Sequence, residues 1–162
     1  MTAKDAATLF GQAVGGRGWY APPDTRALIT KQPGVVRFLE PGAYRMMYGV
    51  ARMSKNGTGI SGDNYTYSGS LPGQVIMSLS DGMGSGAAAD QESRKVIELL
   101  QQLLETGFSA RSALKMVNTI LMLTGTEQHP ATLDLCCVDL CSGVLEAMKM
   151  GAVATFVLSN GQ

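Results

Sequence analysis

The chain has 162 residues, of which 45% are hydrophobic and 16% are charged, and its formal net charge is zero. This length and composition favour one globular domain with a packed core and exclude a disordered chain. Because no cluster of Lys or Arg is present, nucleic acid and an anionic membrane surface are not expected as partners.

The first part of the chain predicts one helix followed by strands. Residues 1–14 carry an apolar stripe at helical spacing, with Asp5 in the first turn, and predict a short helix. A glycine-rich break follows, and residues 1–24 are expected to form a loosely attached extension. Apolar residues then predict strands over 35–39, 44–52 and 60–67, the last two paired as an antiparallel hairpin through the turn at Lys55-Asn56-Gly57.

The second part predicts two helices between strands. The segment 74–80 is apolar on both faces, as a central strand would be. Helices are predicted at about 86–105, with Gly107 as C-cap, and from the N-cap Ser109 to Gly125. Further strands are predicted over 132–140, 144–150 and 154–158, with Asn160-Gly161 as another hairpin turn. This order indicates an α+β layer structure, and the last turn without a returning strand predicts a domain incomplete at its C-terminal side.

The lack of a readable targeting signal and the cysteine pattern restrict the expected cellular location. No apolar run reaches the roughly 18 residues of a membrane span, and Lys4 and Asp5 interrupt any signal-like start, so a cytoplasmic segment without membrane contact is expected. The cysteines form no CxxC pair and predict reduced, packed thiols rather than a zinc site; they are Cys136, Cys137 and Cys141. The single histidine, His129, precedes a proline in a loop and is interpreted as structural or exposed.

Two glycine-flanked aspartates, Asp63 and Asp81, lie within the stretch SGDNYTYSGSLPGQVIMSLSDGMGSG. Carboxylate oxygens suit Mg²⁺ and Mn²⁺, and glycine lets the backbone come close enough to add a carbonyl ligand. A hairpin strand and its neighbour can bring the two acids together. From the pattern alone, a metal site and ordinary turn residues both remain open.

The glycine run after Asp81 also matches the dinucleotide fingerprint G-x-G-x-x-A at Gly82, Gly84 and Ala87. Asp81 would place its charge against a pyrophosphate, and the following helix leads into a second helix rather than a parallel strand. A nucleotide site is therefore not expected. A P-loop is excluded because no Gly-Lys-Ser/Thr follows.

Four segments carry a more specific signal: GVARMSKNGTGISGDNYTY, SLSDGMGSGAAADQES, GFSARSALKMVNTIL and ATLDLCCVDLCSGVLEAMKMGAVATFVLSNG. They closely resemble the stage II sporulation protein E family, a bacterial branch of the PP2C-type, metal-dependent serine/threonine phosphatases. The likeness runs in one register from about Thr25 to the last residue. It implies a β-sandwich flanked by helices, with residues 25–162 as the N-terminal part of the phosphatase domain.

The resemblance also implies a site for two Mn²⁺ or Mg²⁺ ions. Asp63 and Asp81 would give their carboxylates and Gly82 its backbone carbonyl, and no catalytic residue beyond the metal ligands is implied. The metals would lower the pKa of a bridging water that attacks phosphorus in line. Gly84 and Gly86 lie where the acidic loop meets the helix pair through which this family is thought to switch, and a regulatory role is assigned to them.

Other polar residues near these elements are interpreted as structural. Three of them, Asp90, Gln91 and Glu92, are predicted to form a solvated first helical turn. The other two, Asp134 and Asp139, lie on a predicted strand.

The resemblance implies further metal-binding aspartates beyond Gln162, so the 162-residue chain is expected to be inactive alone. The parent protein would hydrolyse phosphoserine on an anti-sigma-factor antagonist and so activate a sigma factor. A homo-oligomer, and a membrane anchor outside this chain, are left open. The alternative is a non-catalytic PP2C-like scaffold or regulatory module that binds a protein partner through its helices.

Overall fold

The computed structural model describes residues 1–16, 18–54, 60–69, 73–124 and 131–159. Within these ranges the chain forms three helices and four strands. In chain order they are α1 (Ala3–Val14), β1 (Asp63–Ser68), β2 (Gln74–Asp81), α2 (Ala87–Glu105), α3 (Ala110–Thr124), β3 (Leu133–Asp139) and β4 (Leu145–Met150).

The four strands form one antiparallel sheet in the order β1-β2-β3-β4. The predicted central strand is confirmed, because β2 pairs with β1 on one side and with β3 on the other. No two of these strands are parallel, so this sheet contains no βαβ unit of the kind that a dinucleotide fingerprint requires. The α+β class is confirmed.

Local sequence signals set the boundary between α2 and α3. Gly107 has a φ of +95°, its N–H donates to the Leu104 carbonyl at 3.0 Å, and the Phe108 N–H donates to the Leu103 carbonyl at 3.1 Å. This pattern is a Schellman motif, which favours glycine because the backbone is left-handed. Ser109 then begins α3, and its hydroxyl accepts from the Ser112 N–H at 3.2 Å. The predicted N-cap Ser109 is confirmed, whereas the C-cap of α2 is Thr106 and Gly107 is the left-handed residue that follows it.

The helices α2 and α3 cover one side of the sheet, which we call the inner face. Cross-strand partners share a face, so the opposite or outer face carries the alternate residues of each strand. The inner face and its helices hold the buried core, which includes Ile76, Val96, Leu100, Leu104, Val117, Leu133, Leu135 and Met148. The outer face is more open and includes Tyr65, Leu79, Cys136 and Leu145.

Helix α1 is attached to the chain that follows it. Its N-terminus has a capping box between Thr2 and Asp5. The Ala3 N–H donates to the Ala27 carbonyl at 2.9 Å, and the Phe10 ring packs against the rings of Trp19 and Phe38. These contacts reach both sides of residue 24, and a domain division at that position stays a prediction.

Three predicted strands are wrong. Residues 35–39, 44–52 and 154–158 form no strand, and β1 takes β2 as its hairpin partner instead of residues 44–52. Their apolar alternation was typical of half-buried strands, but many of these side chains stay exposed, including Phe156 at 85%. Residues 44–52 still contact the sheet, because Tyr48 stacks on Tyr67 with ring centroids 3.9 Å apart.

Several sequence predictions fall outside the described residues. They are the turns at Lys55-Asn56-Gly57 and Asn160-Gly161 and the loop with His129. Within the described ranges, no helix has the length and apolar character needed to cross a membrane.

Candidate metal centre

The structure brings the two predicted acids together. Asp63 is the first residue of β1 and Asp81 is the last residue of β2, and the antiparallel register places them directly opposite each other. Directly opposed residues have Cβ atoms about 4.5–5.5 Å apart and project from the same face. The two carboxylates therefore lie side by side at one end of the outer face.

This proximity has an electrostatic consequence. Partial burial, the negative charge of Asp63 and a hydrogen bond with its carboxyl group together raise the pKa of Asp81. On the other side of the pair, the Ser61 hydroxyl donates to Asp63 Oδ2 at 2.9 Å and orients that carboxylate. Two neighbouring carboxylates repel each other, so a bound cation would be favourable here.

The backbone around the acids is packed closely against α2. The Gly82 N–H donates to the Gly62 carbonyl at 3.0 Å, which links the residues beside the two acids. A Cβ on Gly82 would lie 2.0 Å from the Ala89 carbonyl oxygen of α2, so only glycine fits at this position. A Cβ added to Gly62 would lie 3.6 Å from the carbonyl oxygen of Gly82, which is the predicted backbone ligand.

Thr132, just before β3, fixes the backbone of Asp81. The Thr132 N–H donates to the Asp81 carbonyl at 2.9 Å, and the Asp81 N–H donates to Thr132 Oγ1 at 3.2 Å. The buried Ser80 hydroxyl donates to the Thr132 carbonyl at 2.7 Å. These bonds tie the end of β2 to its neighbour and hold the second acid in register.

The loop from Asp81 to α2 contains the two glycines assigned a regulatory role. Gly84 has a φ of +85° and Gly86 a φ of +79°, a left-handed region that favours glycine. Gly86 is also the N-cap of α2 and accepts there from the Asp90 N–H at 3.1 Å. Backbone conformation alone accounts for both glycines, and their regulatory role stays a prediction.

Asp90 lies in the first turn of α2, as predicted, and is ion-paired there. Its carboxylate accepts from Arg94 at 2.9 Å, and from Asn64 and Arg52 at 3.0 Å each. Hydrogen bonds from Arg94, Asn64 and Arg52 lower the pKa of Asp90 to about 2. The Arg94 pair is readable from the i,i+4 spacing, but Arg52 lies 38 residues away. Its approach depends on the tertiary fold.

The two strand aspartates have structural partners, as predicted. Asp134 accepts hydrogen bonds from Lys149 and Thr155. Asp139 accepts from the backbone N–H groups of Cys141 and Ser142 at 2.8 Å each, which lowers its pKa and closes the β3–β4 turn. Neither carboxylate is free for a separate site.

A cavity of about 270 Å³ opens beside the acid pair. Its lining includes both predicted acids together with the charged residues Arg52 and Asp134 and the polar Thr132. The cavity gives the two carboxylates access to a small polar group, such as a hydrated cation or a phosphoryl group.

The donor atoms test the fit to a metal. Asp63, Asp81 and the Gly82 carbonyl offer only oxygen, the ligand atom that Mg²⁺ and Mn²⁺ prefer. In the parts of the chain that the structure describes, no group of three or more His, Cys, Asp or Glu side chains is placed to hold an ion. The residues therefore fit part of a metal site, and hard cations of this kind take about six ligands each.

The cysteines lie apart from this chemistry. All three are free: Cys136 and Cys137 are half-buried on β3, and Cys141 is exposed in the turn. Burial, with smaller effects of Cys136 and Glu146, raises the pKa of Cys137 to about 11, and burial also raises that of Cys136. A raised pKa lowers the fraction of reactive thiolate at both strand cysteines.

Similarity to known proteins agrees with this geometry. The family model for stage II sporulation protein E (SpoIIE) matches residues 72–162. The stage II sporulation protein E of Bacillus subtilis is 35% identical over 127 residues, and that of Priestia megaterium is 36% identical over 115. These alignments cover 78% and 71% of this chain but only 15% and 20% of the relatives' own length.

A solved structure supports the same assignment. The PP2C phosphatase domain of SpoIIE from Bacillus subtilis, solved with a fragment of its regulatory domain, matches with a TM-score of 0.61 and 33% identity. The match covers 71% of this chain and 39% of that chain. The described sheet and its two covering helices thus agree with part of a PP2C phosphatase fold. With the family model extending over more than half of its residues, the chain belongs to the stage II sporulation protein E family.

Proposed function

We propose that the protein containing this chain is a metal-dependent serine/threonine protein phosphatase. The observation that carries the proposal is the directly opposed pair of Asp63 and Asp81 in a chain of the SpoIIE family. A pair of oxygen-bearing acids beside an accessible cavity suits a divalent cation, and phosphoryl groups are a common substrate of such sites.

In this proposal Asp63, Asp81 and the Gly82 carbonyl hold Mn²⁺ or Mg²⁺, two ions in the complete domain. When bound, the ions supply an acidified water as nucleophile and neutralise phosphoryl oxygens. Ser61 orients the Asp63 carboxylate, and Thr132 holds the Asp81 backbone. Both acids stay in register because their strands are paired at this position.

The described residues alone provide too few ligands for two ions. They contribute two carboxylates and one carbonyl, whereas two hard cations need about six oxygens each, partly from water. We therefore infer that the 162-residue chain has little or no phosphatase activity without additional acids from the rest of the protein.

The substrate we propose is a phosphoserine protein of the anti-sigma-factor antagonist type. Membership of a sporulation family supports this choice, with sigma-factor activation as the outcome. The dephosphorylation would take place in the cytoplasm, in a parent protein anchored to the membrane through another segment. Gly84 and Gly86 would let the loop after Asp81 move with α2 as metal binding is controlled, and a homo-oligomer is compatible with this arrangement.

A non-catalytic scaffold is the second candidate. It is favoured by one observation, the absence of a third metal-binding acid among the described residues. In this case the fold would be kept to bind a protein partner through its helices. The reading frame beyond Gln162 separates the candidates, because further metal-binding aspartates there favour the enzyme.

A manganese titration tests the proposal. Calorimetry on the full-length protein should show Mn²⁺ binding that Asp63→Asn and Asp81→Asn each weaken strongly, with parallel loss of activity on a phosphoserine protein. Asp139→Asn is the matched control, since Asp139 caps a turn at the opposite end of β3. Full activity in Asp81→Asn would contradict the phosphatase proposal, and strong activity of the 162-residue form that Asp81→Asn abolishes would contradict the requirement for additional acids.

A further inference from the structure

The Gly62 carbonyl joins three elements beside the acid pair. It accepts from the Gly82 N–H at 3.0 Å and from the Ser93 hydroxyl of α2 at 2.5 Å. Gly62 precedes Asp63, and Gly82 follows Asp81. A single carbonyl oxygen therefore connects β1, the loop after β2 and α2 at the point where the predicted metal ligands lie, and we call this connection the junction.

Asn64 makes the equivalent connection on the other side of Asp63. It faces inward, and its side-chain amide donates to the Asp90 carbonyl and carboxylate at 3.0 Å each and to Ser93 Oγ at 2.8 Å. Asp63 itself faces outward. Both chain neighbours of this acid are thus bonded to the first turns of α2, while its carboxylate remains available on the opposite face.

The connection is protected from water and reinforced. Ser93 is fully buried, so a lost hydrogen bond to its hydroxyl would not be replaced by solvent. Asp90, which binds Asn64, is held in turn by Arg94, one turn further along α2, and by Arg52. Arg52 also donates to the Ser61 carbonyl at 2.7 Å, so the segment before Asp63 is tied to the same cluster.

We propose that Ser93 and Asn64 are positioning residues for the metal centre. They fix Gly62 and the start of β1 against α2, and so set the spacing between the Asp63 carboxylate and the Asp81-Gly82 loop. This inference rests on the proposed function, because it requires Asp63 and Gly82 to bind the metal. Partners that orient metal ligands typically change metal affinity about 10–100-fold when removed.

The test is Mn²⁺ affinity in the full-length protein, measured by electron paramagnetic resonance of the free ion. Ser93→Ala and Asn64→Ala should each weaken Mn²⁺ binding about ten-fold, and Ser93→Thr, which keeps a hydroxyl, should retain more affinity than Ser93→Ala. The double variant should lose less Mn²⁺ affinity than the product of the two single fold-changes, because both residues act on one junction.

Ser78→Ala is the matched control. Ser78 also lies on the inner face and is buried, but its hydroxyl has no hydrogen-bond partner among the residues that the structure describes. Its replacement removes a hydroxyl of the same size from the same sheet without disturbing the junction. We expect this variant to bind Mn²⁺ as the unmodified protein does.

Thermal unfolding of the metal-free variants separates positioning from general stability. A lower Tm in Ser93→Ala and Asn64→Ala with unchanged Mn²⁺ affinity would overturn the inference while leaving the proposed function intact, provided that Asp81→Asn still loses the metal. Absence of Mn²⁺ binding in the unmodified protein would overturn both. If Ser93→Ala does not fold, Asn64→Ala decides the outcome, because Asn64 is only partly buried.

Discussion

The two faces of the sheet differ in how deeply their side chains are buried and in the functional residues they present. The inner face is sealed by α2 and α3, and its central side chains, such as Leu133 and Leu135, are fully buried. The outer face carries the acid pair and leaves Leu79 48% exposed. Stability thus resides mainly on one face and the candidate chemistry on the other. Asp63 and Asn64 show how adjacent residues serve both, since successive strand residues point to opposite faces.

The largest effect should come from the inner face. Leu100→Ala removes a fully buried side chain from the centre of the core and should lower the free energy of unfolding by about 2–5 kcal/mol. Leu79→Ala on the outer face should lower it by less than about 1 kcal/mol, since the side chain is half exposed. Urea unfolding of both variants measures the contrast. Equal losses would show that the outer face is as tightly packed as the inner one.

The next effect is expected where the two faces meet, at Gly82. Gly82→Ala places a Cβ 2.0 Å from the Ala89 carbonyl oxygen, so α2 or the acidic loop must shift, at about 1–3 kcal/mol of stability. Gly49→Ala is the control, because a Cβ there meets no atom of the described ranges within 4 Å. Urea unfolding and Mn²⁺ titration of both variants test this. If Gly82→Ala left both the stability and the Mn²⁺ affinity unchanged, the result would contradict the close packing of helix and loop.

A smaller, pH-dependent effect is expected from Asp90 at the inner side of this junction. Its pKa is lowered from 3.8 to about 2, so the folded state binds the proton less readily than the unfolded state. The resulting stabilisation is fully present above about pH 4 and is lost as the pH falls through about 2.

Asp90→Asn should consequently be less sensitive to acid over this interval than the unmodified protein. Urea midpoints measured at a series of pH values provide the test. Asp24→Asn is the control, because its ion pair with Arg37 is largely exposed and contributes little. If Asp90→Asn and the unmodified protein lose stability in parallel, the Asp90 contacts are not formed in solution.

The alkylation rates of the cysteines should distinguish the inner face from an exposed turn, with no change in the stability of the protein. Cys137 faces the core and its pKa is raised to about 11, whereas Cys141 is exposed in a turn. An alkylating reagent near pH 8 should modify Cys141 first and Cys137 last, because only the thiolate reacts. Mass spectrometry of timed samples gives the order. Early modification of Cys137 would indicate that the inner face opens readily.

The sequence by itself determined the elements that depend on local signals. These signals are readable because neighbours in the chain create them. They are the glycine after α2 at Gly107, the N-cap Ser109, the helical spacing of α2 and α3 and the segments of the four strands. The identity of Asp63 and Asp81 as a pair came from their glycine-flanked motifs and the family resemblance. The prediction that Asp134 and Asp139 are structural residues also agrees with their hydrogen-bond partners in the structure.

Only the tertiary structure decided which distant segments meet. Residues 44–52 have a strand-like pattern, yet β2 is the partner of β1, because strand pairing depends on competition among edges that no single segment reveals. The contact between Arg52 and Asp90 spans 38 residues, and the Ser93 hydroxyl reaches Gly62 across 31. Local periodicity contains no information about such contacts, since they form only when a helix packs onto a completed sheet.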